Sequence, residues 1–107
     1  MINWTRVDEL TDEIGKAEFG EVVEIFLEEV DDAISRLAAS TELEADLHFL
    51  KGNALNLGFT DFSKACQIGE LVASRGKQDS IDVAEILDCY AKSRAAFLAG
   101  LATRSAA

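Results

Sequence analysis

Apolar residues recur every three to four positions along this chain, in five blocks separated by short polar or glycine-bearing breaks. That spacing is the signature of amphipathic helices. The first block, about residues 4–14, places Trp4, Val7, Leu10, Thr11 and Ile14 on one side and Asp8, Glu9, Asp12 and Glu13 on the other, and Gly15 closes it. The second, about 17–39, keeps a helical period through Phe19, Val22, Val23, Phe26, Val30, Ala33, Ile34 and Leu37. Its opposite face is acidic, with Glu21, Glu24, Glu28, Glu29, Asp31 and Asp32. Ser40 and Thr41 break the pattern, and Thr41 with Glu44 has the spacing of a capping box for a third helix, about 42–58, ended by a left-handed cap at Gly58. Thr60 or Asp61 is expected to cap a fourth helix, about 61–75, with Phe62, Ala65, Cys66, Gly69, Val72 and Ala73 inward and Gly76 at its end. After the polar turn at 77–80, Asp79 or Ser80 caps a last helix that turns Val83, Ile86, Leu87, Tyr90, Phe97, Leu98 and Leu101 inward, and the tail from Thr103 to Ala107 is expected to fray.

Short connections favour antiparallel neighbours, so the pattern predicts an all-α protein, an antiparallel up-down four-helix bundle with a short additional N-terminal helix, forming one domain over residues 1–107. The absence of proline among 107 residues agrees with this. A bundle closed within one chain makes a monomer the expected state.

Charge narrows the partners. The net charge is −10, and residues 1–32 carry eleven acids against Arg6 and Lys16. Such a field repels phosphate backbones and anionic lipids, which argues against nucleic-acid and membrane-surface roles. Cys66 and Cys89 stand among apolar neighbours without a CxxC or Cys/His spacing, and read as reduced core thiols rather than zinc ligands. The opening residues are too polar for a signal peptide and no apolar run approaches the roughly 20 residues of a membrane span, so a cytoplasmic location is expected.

The third helix departs from the rule the others follow. Leu43, Leu47, Leu50, Ala54 and Leu57 fall within roughly an 80° stripe, while His48, the sole histidine, lies well off it. Lys51 and Gly52, at i+3 and i+4, are its neighbours on the helix surface. A glycine in a helix interior costs about 1 kcal/mol relative to alanine. Beside an exposed imidazole, its benefit is access for a partner's surface. Imidazole has an unperturbed pKa of about 6.5, so at neutral pH much of it is a free nucleophile, and Lys51 is a mobile cation suited to phosphoryl oxygens. If the third and fourth helices form a hairpin turning between Gly58 and Asp61, residues whose numbers sum to about 119 are level. Gln67 is then level with Gly52 and Glu70 nearly level with His48, and either is placed to hydrogen-bond the imidazole or a phosphoryl group on it.

The run Leu47-His48-Phe49-Leu50-Lys51-Gly52, followed by Asn53-Ala54-Leu55-Asn56-Leu57-Gly58, resembles the signature of histidine phosphotransfer (HPt) domains. It departs from that signature at Leu47, where alanine is commoner, and at Asn53, where serine or alanine is usual. Neither change removes a group the chemistry needs. The resemblance implies a phosphorelay intermediate: His48 takes a phosphoryl group from an aspartyl phosphate on one response-regulator receiver domain and passes it to the aspartate of another. Lys51 would stabilise the phosphoryl oxygens, Gly52 would keep the approach open, and Phe49 and Leu55 would offer an exposed apolar patch for docking. The implied partners are receiver domains and a hybrid sensor kinase. No cofactor or metal is expected on this chain, the magnesium of the transfer belonging to the receiver. An autokinase would need a nucleotide domain with glycine-rich loops, and a carboxylate-bridged metal bundle would need Glu-x-x-His pairs, whereas the residue three before His48 is Ala45. The alternative is a non-catalytic helical module that binds and regulates a receiver or kinase, a role that would not require His48, Lys51 and Gly52 together.

Overall fold

In a computed structural model that describes residues 1–106, and the side-chain surroundings of 1–104, the chain forms five α-helices. They are α1 (Trp4–Ile14), α2 (Lys16–Leu37), α3 (Leu43–Leu57), α4 (Thr60–Ser74) and α5 (Val83–Ala106), with a short 3₁₀ turn at Gln78–Ser80. No strand occurs among the described residues, apart from a single antiparallel bridge between Ile2 and Phe59. α3 packs along α4, α4 against α5 and α2 against α3, while α1 lies against α2 and α3. The result is a helical bundle 46 Å long and about 20 Å across.

The predicted stripe of α3 is the core of this arrangement. Leu43, Leu47, Leu50, Ala54 and Leu57 are all buried, and they meet Val23, Leu27 and Val30 of α2, Phe62 and Cys66 of α4, and Ile86, Tyr90 and Phe97 of α5 in one apolar cluster. Burial pushes the Cys66 thiol up to about 12, so it stays protonated and unreactive near neutral pH. Gly58 caps α3 in the left-handed region at φ 79°, its N–H returning to the carbonyls of Ala54 and Leu55. Space also requires a glycine there, since a Cβ would lie 2.7 Å from the Asn3 carbonyl oxygen. The N-terminal residues thus strap the α3–α4 turn: Asn3 N–H donates to Gly58 O at 2.7 Å, and Thr60 N–H to Met1 O at 3.1 Å.

α1 is held at its other face by Trp4, whose ring stacks on Phe97 with centroids 6.0 Å apart. The ring lies so close over Gly100 that a Cβ there would fall 2.0 Å from it. Arg104 covers the same ring at 4.9 Å and pairs with Asp8. These contacts explain why Thr103–Ala106 continue α5 instead of fraying as expected; Ala107 lies outside the described residues.

Several helix starts differ from the expected ones, with other side chains or other contacts taking the expected roles. The Thr41–Glu44 capping box does not form. α3 begins at Leu43 after Glu42, and the Ser40 hydroxyl accepts the Glu42 N–H while donating to the Asp46 carboxylate. Thr60 is the first residue of α4 rather than its cap, its hydroxyl donating to Met1 O at 2.7 Å. Asp79 and Ser80 belong to the 3₁₀ turn, and α5 is capped instead by Asp82, whose Oδ1 accepts the Glu85 N–H at 3.1 Å. Of the residues expected inside α5, Ile86, Tyr90 and Phe97 are buried, Val83, Leu87 and Leu101 are half-buried, as is Cys89, and Leu98 is 38% exposed.

α2 and α5 are joined by a polar clamp. The Asp31 carboxylate accepts hydrogen bonds from Tyr90 Oη at 2.6 Å and from Arg94 Nε and Nη2 at 3.1 and 3.0 Å. Partial burial raises the Asp31 pKa, but the Arg94 and Tyr90 hydrogen bonds outweigh it and hold the carboxyl below its usual range. The stabilisation is therefore complete above the ordinary carboxylate value near 4 and is lost as pH falls through the lower folded value. Asp31→Asn is expected to cost about 1 kcal/mol at pH 7, a modest figure because solvent screens both partners. Urea denaturation at pH 7 and pH 3 should show the gap between variant and wild type shrinking at the lower pH; a gap that persists would refute the assignment.

Candidate functional site

The approach of α4 to α3 is set where Leu47 meets Gly69. A Cβ on Gly69 would lie 2.8 Å from Leu47 Cδ1 and 3.4 Å from Ile86 Cδ1, so the missing side chain leaves room for Leu47 to pack directly on α4. The next residue on each helix turns outward, and these are His48 and Glu70. Glu70 Oε2 lies 2.8 Å from His48 Nδ1, and Oε1 lies 2.6 Å from Lys51 Nζ. One carboxylate thus spans an imidazole and an ammonium that sit one helical turn apart.

Electrostatics fixes the protons. The Lys51 hydrogen bond, joined by that of His48, holds the Glu70 carboxyl below its usual range against the partial burial that would raise it. An ionised carboxylate only accepts hydrogen bonds, so Nδ1 carries the proton that faces it. In the neutral ring the lone pair then resides on Nε2, directed away from Glu70. The His48 side chain is 69% exposed, while those of Lys51 and Glu70 are 25% and 20% exposed. A reactive nitrogen in solvent is held by a partly buried polar base.

Of the residues singled out from the sequence, the structure brings His48, Lys51 and Glu70 into contact. Gln67 does not share that contact; it lines a small concavity with Glu44, Lys51 and Leu71 on the far side of the ion pair. Nothing lies within 4 Å of where a Gly52 Cβ would be, so the surface beside the histidine is open. Phe49 and Leu55 are 47% and 57% exposed on either side of it. A shallow hollow next to the imidazole is lined by Glu42, Glu44, Ala45, Glu70 and Gln78. Sequence reasoning passed over Glu44, although its place four residues before His48 on the same helix is a signal that could have found it.

The Hpt domain family model matches residues 21–102. The chain belongs to the Hpt domain family, whose members are phosphocarriers that perform histidine phosphotransfer in two-component phosphorelays and interact with receiver domains and kinases. The match begins within α2 and leaves α1 outside it. No curated protein and no solved structure matches the chain. Among the described residues, no cluster of His, Cys, Asp and Glu converges as a metal site, and no helix is long and apolar enough to cross a membrane.

The open space over Gly52 has a measurable consequence. Gly52→Ala fills nothing and removes a helix-interior glycine, so it is expected to stabilise the fold by about 1 kcal/mol. Chemical denaturation measures this, and a loss of stability would mean that an unseen contact requires the glycine.

Proposed function

We propose that this chain is a phosphorelay intermediate in which Nε2 of His48 accepts a phosphoryl group from the aspartyl phosphate of one receiver domain and delivers it to the aspartate of another. The observation that carries the reading is the Glu70 bridge, which fixes the Nδ1–H tautomer of an exposed imidazole inside the family's motif. In the first transfer the Nε2 lone pair attacks phosphorus, the N–P bond forms, the acyl phosphate P–O bond breaks, and the aspartate leaves as a carboxylate. The ring, still protonated at Nδ1, gains positive charge that Glu70 stabilises. In the second transfer a receiver carboxylate attacks phosphorus and the electron pair of the N–P bond returns to Nε2. Because the proton need not leave Nδ1, both directions are open.

Lys51 is close enough to exchange its bond with Glu70 for one with a phosphoryl oxygen, and Gln67 stands behind it as a further polar group. Gly52 admits the receiver's loops, and Phe49 and Leu55 supply apolar contact area. α2 to α5 form the antiparallel up-down four-helix bundle that presents this face, with α1 across one end. The chain acts as a carrier and not as an autokinase, binding receivers and a hybrid sensor kinase as a cytoplasmic monomer, apart from nucleic acid and membranes. Magnesium for the transfer comes with the receiver, and no cofactor is bound here. A purely regulatory adaptor would have no use for an exposed imidazole with a fixed tautomer.

Incubation with a phosphorylated receiver should give acid-labile, base-stable label on the wild type and none on His48→Gln. An unlabelled wild type, or a labelled variant, would sink the reading. Glu70→Ala should still be labelled, but about tenfold more slowly, the loss expected on removing one hydrogen bond to a charged group. An unchanged single-turnover rate would show that the carboxylate has no part in the transfer.

A further inference from the structure

We infer that the outer face of α2, centred on Ile25 and its ring of carboxylates, extends the docking surface around His48, and that it selects receivers whose contact face carries a rim of lysines and arginines. The inference rests on the phosphotransfer reading and adds to it the chemistry of the partner.

Three observations fix the direction this face looks. Val23, Leu27 and Val30 of α2 are buried in the core. Asp31 reaches sideways to Tyr90 and Arg94 on α5, and the opposite flank of α2 lies on α3. With about 100° of turn per residue, Ile25 then points almost straight away from the core and Glu29 falls on the outward edge beside α3. The short connection at 38–42 makes the two helices antiparallel, so residues whose numbers sum to about 80 are level along the bundle. Ile25 is thus level with Leu55, and Glu28 with Gly52. Ile25, Phe49 and Leu55 are each about half exposed, at 52%, 47% and 57%. A single exposed apolar side chain is ordinary, but Phe49 on the α2 side of α3 and Ile25 on the outer face of α2 continue the exposed apolar area from the histidine's helix onto its neighbour.

Charge supplies the identity of the occupant. On its own helix Ile25 is flanked by Glu21, Glu28 and Glu29 at i−4, i+3 and i+4, and Glu28 and Glu29 make no ion pair among the described residues. Residues 16–58, which form α2 and α3, carry ten acids against three bases, whereas residues 59–107 carry six of each. Two of those three bases are already paired, Arg36 with Asp32 on α2 and Lys51 of α3 with Glu70 of α4 across the hairpin. The negative field is therefore one-sided: it lies on the α2 flank of His48 and not on the α4–α5 flank. A partner with a complementary basic rim would be both drawn in and turned so that its basic side covers α2.

The test uses isolated receiver domains from the same genome, charged with acetyl phosphate, and follows phosphoryl transfer to this protein at low and at physiological ionic strength. Wild-type kcat/KM should fall steeply as salt rises, and the fastest donors should be those with basic rims. Glu28→Lys with Glu29→Lys should lower kcat/KM about tenfold at low salt and flatten the salt dependence, with kcat at saturation unchanged. The same charge change on α5, Glu85→Lys with Asp88→Lys, should stay within about twofold of wild type because it lies outside the steering field. Ile25→Ala should raise KM without changing kcat. Equal effects of the two charge reversals, or transfer by the wild type that ignores salt, would overturn the docking inference and leave the phosphotransfer reading standing. A wild type that takes no label from any receiver would overturn both.

Discussion

The close contact between Leu47 and Gly69 governs what the rest of the molecule can do. Helix pairs normally stand apart by the side chains between them, and at this one position α4 contributes none. Because His48 and Glu70 are the immediate successors of the contact pair, the α3–α4 separation is transmitted directly to the 2.8 Å bond between them. A side chain at Gly69 would have to displace Leu47 within the core or widen the helix spacing, and a shift of about 1 Å is enough to take a hydrogen bond out of range. The core thus works as a spacer for polar chemistry on its surface, and the strap of N-terminal residues over the Gly58 turn holds the hairpin register at its other end.

The electrostatic design is frugal. One carboxylate accepts from two donors, and each contact restrains the other: Lys51 keeps Glu70 ionised, and ionised Glu70 keeps the imidazole proton on Nδ1. On the proposed reading, an arriving phosphoryl group would draw Lys51 from one anion to another across a short distance, with little rearrangement. The rest of the charge lies farther off, where it acts on the approach of a partner more than on bond making.

What could be read from the sequence was whatever depends on period and spacing. The stripe through Leu43 to Leu57, the left-handed cap at Gly58 and the level of Glu70 opposite His48 all follow from helix geometry alone, and all are present. The starts of α3, α4 and α5 could not be read in the same way. Each connection offers several Ser, Thr or Asp side chains within two or three residues, and distant groups decide among them: the Met1 carbonyl takes Thr60, Asp46 takes Ser40, and Asp82 is left to cap α5. Leu98 obeys the helical period yet is partly exposed, since periodicity does not reveal where neighbouring helices end. At the site, Gly69 read simply as an inward residue, and its effect on helix spacing emerges only when the opposing side chain is known.

Trp4 is the only tryptophan in the chain, and it sits on the one helix that lies wholly before the Hpt match. Its indole is pressed between Phe97, Gly100 and the Arg104 guanidinium, a pocket assembled entirely from α5. Release of α1 would carry that ring from an apolar crevice into water without touching His48. The protein therefore has an intrinsic fluorophore placed to report the docking of α1, on a different helix from His48 and packed against neither α3 nor α4 residues of the imidazole site.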